Sequence, residues 1–363
     1  MATKCDWLLY GANGYTGRLI AEEAPRRGMR PVLAGRNARE IENLARRLDL
    51  PFRVFALDES GGVADQLSGM TAVLNCAGPF SRTAPALMEA CLTARAHYLD
   101  ITGEIEVIEA AAALDRRARE AGVGLLPAVG FDVAPSDCLA AMLADQLPAA
   151  THLRLAFTAT GGVSPGTAKT MLQVMPTGGR ARIDGEIRRV PHDWKKRDIT
   201  FPSGVKQAVT IPWGDVASAY YSTGIANIET YLAATPALAR QSHLLRSFAG
   251  LLRSRLVGKL AETCVGWTIA GPSAARRAAT RAELWGQVSD AAGNTVEAAL
   301  ETPDGYTLTV LSALAALERV LRDGLAPGFT TPSKAFGKEF ILSLPDVRLV
   351  DGSIGTEARL RAL

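Results

Sequence analysis

Gly11, Gly14 and Gly17 are evenly spaced in the stretch "WLLYGANGYTGRLIAEE", directly after the apolar run Trp7–Tyr10. A short continuous apolar run is what a strand buried on both faces requires, and Leu19 and Ile20 beyond the glycines open a helix. Such a junction turns tightly, lets backbone approach a ligand, and presents unpaired N–H groups at the positive end of a helix dipole. A pyrophosphate meets all three demands, so the glycines point to a dinucleotide.

The next strand, "RPVLAG", runs into "AGRN". Gly35 removes the carboxylate that would repel a 2′-phosphate, and Arg36 offers a planar cation that can grip the phosphate bidentately and stack on adenine. NADPH is thereby favoured over NADH. In "NCAGPF", the small residues Cys76, Ala77 and Gly78 let the chain lie against the ribose and nicotinamide end, while Pro79 stiffens the turn that follows. "LDES" would place Leu57 and Asp58 beside the adenine. "HYLDITGE" and "PAVGFDVAPSD" end two further strands, and ligands of open parallel sheets lie at the carboxyl ends of strands. Asp100, Thr102, Gly103, Glu104, Gly130, Phe131 and Asp132 are therefore candidates for the nicotinamide wall. Glu104 and Asp137 suit helix caps equally well.

The elements that must position these residues alternate. After the glycine unit come a helix over "NAREIENLARRLDL", with Asn37 and Glu40 spaced as a capping box, and the strand "FRVFALD". A short helix near 61–69, the strand "TAVLNCAG", a helix over "APALMEACLTARA" with Pro85 near its first turn, and the strand "HYLDITG" follow. A long helix over 104–120 and the strand "GVGLLPAVG" complete the series. Six apolar strands separated by helices predict a parallel sheet of the Rossmann type. Beyond 148 the strands lengthen and alternate in polarity, as in "THLRLAFTAT", "KQAVTIPW", "IANIETYLAAT", "RAELWGQVSD" and "NTVEAALET". The expectation is α/β: a dinucleotide domain over 1–148 and an α+β substrate domain with a mixed or antiparallel sheet over 149–363. Helices are expected over "GTAKTMLQVM", 236–259 and 305–324, the last of which has the option of packing back on the first domain.

Composition sets the outer bounds. A chain of 363 residues with 48% hydrophobic and 21% charged residues is an ordinary globular protein long enough for two domains. The net charge of +3 comes from cations spread along the chain, which argues against a nucleic-acid partner. Cys5, Cys76, Cys91, Cys138 and Cys264 are odd in number and never form a C-x-x-C pair, which suits a reducing compartment. The histidines stand alone, and no metal site is expected. The first residues resemble no secretory leader and no run of about 18 apolar residues occurs, so a cytoplasmic protein is expected.

Taken together, "YGANGYTGRL", "AGRN", "NCAGPF", "HYLDITGE", "VGFDVAPSD", "GTAKTML" and "GFTTPSKAFG" resemble the saccharopine dehydrogenase-like oxidoreductase family, in particular its trans-acting enoyl reductase branch. The resemblance spans most of the chain. It implies an NADP-binding first domain carried by Gly11, Asn13, Gly14, Tyr15, Thr16, Arg36, Asn37, Ala77 and Gly78, and a second domain shaping the substrate site. Lys169 in "GTAKTML" has no counterpart in the family pattern, and Thr170 stands where a small residue or serine is expected.

The reading that follows is an NADPH-dependent reductase delivering hydride to a polarised double bond, most readily an enoyl group of a lipid or polyketide-like substrate. An enoyl acceptor needs a donor to its carbonyl oxygen and a proton at the α-carbon, for which solvent is one source. Lys169, Tyr98 and Asp100 are the candidates for these roles. The alternatives are an imine reductase on an amino-acid-derived substrate, anchored by Arg180, Arg182, Arg188 and Arg189, and an NADPH-binding protein without turnover. The stretch 243–260 carries an apolar stripe together with Arg246, Arg253, Arg255 and Lys259, which reads either as a helix covering the second sheet or as a docking surface for an acyl carrier or anionic membrane. A homodimer is compatible with everything above.

Overall fold

The computed structural model describes residues 6–57, 62–158, 162, 164–168, 178–191, 194–233 and 271–350. The chain divides into two compact units, Met1–Ala134 with Tyr306–Gly337 and Pro135–Gly305 with Lys338–Leu363.

The first unit begins with β1 (Trp7–Tyr10), α1 (Tyr15–Glu23), β2 (Val32–Gly35), α2 (Ala38–Leu48) and β3 (Phe52–Val54). It continues through α3 (Val63–Gln66), β4 (Ala72–Asn75), α4 (Phe80–Ala94), β5 (His97–Asp100), α5 (Ile105–Ala113), α6 (Asp115–Ala121) and β6 (Gly124–Leu126). These six strands are parallel and ordered β6-β5-β4-β1-β2-β3. The order reverses between β1 and β4, which makes their carboxyl ends the switch point where an open sheet binds its ligand. All four residues of β1 are buried, as its apolar run requires.

Local chemistry sets the helix ends. Asn37 caps α2, its side-chain oxygen accepting from Glu40 N at 3.3 Å, as the capping-box spacing predicts. The helix expected over 104–120 is two helices broken at Leu114. The break turns Asp115 outward, where its carboxylate accepts from Phe329 N at 2.8 Å. That contact belongs to a return of the chain that the strand pattern did not reveal. A helix lettered here α10 (Gly305–Asp323) precedes β15 (Gly328–Phe329), which joins β6 in parallel and makes the sheet seven-stranded. Ser312 of α10 donates to Val129 O at 2.6 Å, and Thr309 accepts from Phe131 N at 3.0 Å, so this late helix fastens the loop after β6.

The second unit opens with α7 (Ala134–Gln146) and β7 (Ala150–Thr158), followed by β8 (Gly179–Ile183), β9 (Glu186–Val190), β10 (Lys196–Phe201), β11 (Gly204–Thr210), α8 (Asp215–Thr223) and β12 (Asn227–Ala233). After α9 (Ala274–Ala279) come β13 (Arg281–Asp290), β14 (Thr295–Pro303) and β16 (Arg348–Val350). The sheet is mixed: β7 and β12 run parallel, and the other pairings are antiparallel. The division at Ala134/Pro135, rather than near residue 148, has a packing cause. Gly286 of β13 lets α7 lie directly on this sheet, since a Cβ there would come within 2.6 Å of Leu143 and 3.2 Å of Leu139. The β8–β9 hairpin turns at Asp184 (φ 51°) and Gly185 (φ 83°), both left-handed, as a two-residue turn of the primed type demands. Its "DG" signature was available in the sequence.

Candidate active site

The glycine loop is built from close approaches. Gly11 has φ 79°, and a Cβ on it would lie 2.7 Å from Ala77 N, so the loops after β1 and β4 touch at backbone level. A Cβ on Gly17 would overlap the Gly11 carbonyl oxygen, which is what lets α1 sit against the strand end. Gly14 is the N-cap of α1 and supplies no side-chain cap, so the first N–H groups of that helix have no capping side chain. The loop is tied back by Gly11 N donating to Ala34 O at 2.8 Å and Gly14 N donating to Gly11 O at 3.0 Å. Tyr15 and Thr16 open the helix half-buried, with the Tyr15 ring edge-on to Tyr306 at 4.9 Å.

At the end of β2, Gly35 is closely approached: a Cβ would meet Ile41 at 3.0 Å and Asn13 Oδ1 at 3.1 Å, so these side chains would have to shift. Asn13 donates to Glu40 Oε2 and Asn37 donates to Glu40 Oε1, each at 2.8 Å. Glu40, which composition alone leaves anonymous, thus fastens the glycine loop to the loop after β2. Arg36 is exposed beside this clamp. The uncapped helix start, the cradle that any Cβ would fill and the exposed guanidinium are the donor set a dinucleotide with a 2′-phosphate calls for, so the residues fit the cofactor. Asp58 lies outside the described residues.

The β4–β6 half of the rim is held by side chains. Asn75, fully buried, accepts from Ala77 N at 3.0 Å and donates to Thr83 at 3.1 Å and to the Tyr98 hydroxyl at 3.2 Å. Tyr98 donates to Asp100 Oδ2 at 2.8 Å. Asp100 Oδ1 accepts from Thr102 N at 3.0 Å and Ala128 N at 2.7 Å, joining the loops after β5 and β6. Cys76 is half-buried, Gly78 and Pro79 are joined by a cis peptide, and Pro79 caps α4 without a side-chain acceptor. Glu104 makes good that deficit: its carboxylate accepts from Phe80 N and Ser81 N, each at 2.8 Å. The sequence allowed Glu104 a capping role, but for its own helix; it caps α4 instead, and Pro85 therefore lies inside a helix that starts at Phe80.

Electrostatics follow from this burial. Asp100 is pushed up to about 6, chiefly by desolvation, against the bonds from Ala128, Thr102 and Tyr98 that favour its charge. Burial, followed by the Asp100 charge, drives the Tyr98 hydroxyl well above its ordinary value, and the same two causes raise the Cys76 thiol. Asp132 is raised to about 7 by desolvation and then by the Glu104 charge. Tyr98 stands on an interior strand with no exposed surface, and both it and Asp100 are committed to each other. That geometry suits the positioning of loops rather than contact with a substrate. Lys169 and the stretch 243–260 lie outside the described residues. Among the described residues no cluster of three or more His, Cys, Asp or Glu is placed to hold a metal, and no helix is long and apolar enough to cross a membrane.

Comparison with known proteins matches residues 7–126 to the saccharopine dehydrogenase NADP-binding domain. A Mycobacterium tuberculosis protein named after the trans-acting enoyl reductases is 31% identical over 200 residues, 51% of this chain and 46% of that protein. This chain thus spans about half the length of the curated relatives it matches. A mitochondrial saccharopine dehydrogenase-like oxidoreductase of Arabidopsis thaliana is 32% identical over 149 residues, 36% of this chain and 33% of that one. Among solved structures, the apo saccharopine dehydrogenase (L-Glu forming) of Saccharomyces cerevisiae superposes with a TM-score of 0.63 at 11% identity, covering 96% of this chain and 100% of that one, which is likeness of fold. The glycine loop, Gly35 and Arg36 lie inside the span matched to that NADP-binding domain.

Proposed function

We propose that the protein is an NADPH-dependent reductase acting on a polarised double bond, and that its acceptor is the enoyl group of a lipid or polyketide-like acyl chain. The observation that carries the cofactor half is the exposed Arg36 beside an uncapped helix start, with no carboxylate possible at Gly35. The N–H groups at the start of α1 would hold the pyrophosphate, Arg36 the 2′-phosphate, and the Ala77–Gly78 backbone the second ribose. When bound, the cofactor supplies hydride. The enoyl assignment is supported by the named activity of the mycobacterial relatives.

The imine reading loses one of its anchors. Arg182 is buried, donating to Val216 O at 2.9 Å and Gly185 O at 2.7 Å with its guanidinium over the Tyr220 ring at 4.2 Å, so two of its N–H groups are spent on the unit's own backbone. Docking of a carrier-bound acyl chain or of a membrane surface through 243–260, dimer formation and a cytoplasmic location remain parts of the proposal that rest on sequence. The test follows absorbance of the reduced nicotinamide with an enoyl thioester and with an imine formed from a 2-oxo acid and an amine. Oxidation of NADPH with the thioester alone is the expected result. Turnover of the imine alone would replace the acceptor, and tight NADPH binding without turnover of either would point to a non-catalytic binder.

A further inference from the structure

The loop after β6 is held from several directions at once. Ala128 has φ 64°, a conformation that costs a non-glycine residue, and the Asp100 carboxylate accepting its N–H at 2.7 Å holds it there. Val129 N donates to Asp100 O at 2.8 Å, while α10 grips the same loop at Val129 O and Phe131 N. Gly130 is wedged between Ile101 and Thr309, each 3.1 Å from where a Cβ would stand. The loop then presents Asp132, half-buried, against the backbone of Gly103: a Cβ on Gly103 would lie 2.9 Å from Asp132 Oδ2 and 3.0 Å from its Cβ. An open doubly wound sheet places one mononucleotide on β1–β3 and the other on β4–β6. Asp132 is therefore on the half that receives the nicotinamide.

We propose that Asp132 is a catalytic residue of the reductase, giving its proton to the acceptor carbon next to the one that receives hydride. The inference rests on the reductase reading and adds to it the source of the proton. The acceptor's π bond breaks; hydride brings the electron pair for one new C–H bond, and the second forms with the Asp132 proton. The O–H electron pair stays on the carboxylate, which recovers a proton from water, while the acceptor is reduced by two electrons and NADPH is oxidised. The Glu104 carboxylate favours this protonated form. Both Glu104 oxygens accept N–H bonds from α4, and Asp100 lies at the base of the same two loops. Burial and the Glu104 charge bring Asp132 to about 7, where a group donates and recovers protons readily.

The experiment compares wild type with Asp132→Asn and Asp132→Glu. Carboxyl-carbon NMR of protein labelled at aspartate is titrated with and without NADPH, and NADPH affinity is measured by fluorescence. Turnover of a crotonyl thioester is followed against pH. Expected are a resonance titrating near the raised value that is missing from Asp132→Asn, NADPH affinity unchanged within about twofold, and kcat lowered roughly 100-fold or more in Asp132→Asn, with partial recovery in Asp132→Glu. The wild-type kcat should fall as pH rises through about 7, a limb that Asp132→Asn lacks. Unchanged kcat in Asp132→Asn would assign the proton to solvent and overturn the proposal, and so would an Asp132 carboxyl that titrates in the ordinary range. Failure of wild type to oxidise NADPH with any acceptor would count against the reductase reading, and the NMR titration would then decide whether Asp132 carries a proton near neutrality.

Discussion

The two halves of the carboxyl-end rim are built on opposite plans. Around β1 and β2 the rim is cleared by glycines, Gly11, Gly14, Gly17 and Gly35, with an uncapped helix start and the exposed Arg36 beside the Asn13–Glu40–Asn37 clamp. Around β4, β5 and β6 it is made of side chains, with Asn75, Tyr98, Asp100 and Glu104 buried beneath the loops and bonded to main-chain N–H groups or to one another. The first plan holds a constant ligand whose phosphates can be met by any backbone of the right shape. The second fixes loops whose outward residues can then be specialised for chemistry. The first half is thus shaped by missing side chains, and the second by buried ones.

If the first half depends on empty space, filling it should have the largest effect. Gly17→Val should abolish measurable NADPH binding and destabilise the fold by about 3 kcal/mol or more, since the new side chain collides with the Gly11 carbonyl and cannot be absorbed by rotamer change. Fluorescence titration and denaturant unfolding check both parts.

The second half should show itself in pH dependence. Asp100 is raised from 3.8 to about 6, so the folded state holds its proton over a range in which the unfolded chain releases it. The stability this contributes is full below about pH 4 and lost as pH rises through about 6, roughly 3 kcal/mol in all. Asp100→Asn should remove that part of the difference between unfolding free energies measured at acid and neutral pH. An unaltered difference would mean the carboxylate is already ionised in the fold.

Arg36→Ala sharpens the comparison from the binding side. NADPH affinity should fall about tenfold to a hundredfold, roughly 1.5 to 3 kcal/mol, while NADH affinity stays nearly constant. Equal losses for both cofactors would remove Arg36 from the 2′-phosphate. The smallest effect is expected at Glu104→Gln, where one amide oxygen must replace two carboxylate oxygens at the start of α4, for a cost of about 1 to 2 kcal/mol. The same change takes away the charge that helps hold the Asp132 proton, so the Asp132 titration should move down toward its ordinary value.

How far each half could be read from sequence follows from the same contrast. Glycine spacing, Gly35 and Arg36 are local signals, and they stand at the carboxyl ends of the adjacent strands β1 and β2. Glu104 reaching to Phe80, Asp100 to Ala128 and Asn75 to Tyr98 are bonds between residues separated by more than 20 positions, and nothing local announces them. Tyr98 looked available because a tyrosine in a strand has a polar tip, but the strand order that buries it is a property of the whole sheet. The break at Leu114 and the strand at Gly328–Phe329 were hidden for one reason: each exists to meet the other, through Asp115. The β8–β9 hairpin differs, because its Asp184-Gly185 turn signal is local and stands in the sequence.

The late strand β15 has a consequence for how the chain is made. Synthesis runs from the first residue onward, so β1 to β6 emerge early and wait while the whole of Pro135–Gly305 is added behind them. Throughout that interval β6 is an open edge, the kind of surface on which strands of other chains add. Closure comes only when Gly328 N reaches Val123 O at 2.9 Å and Thr330 N reaches Leu125 O at 3.0 Å. A few residues added after Gly305 thus act as the latch of a unit begun at β1. A ribosome that stalls anywhere in between releases a nucleotide-binding sheet already apolar at its centre and still unsealed at its side.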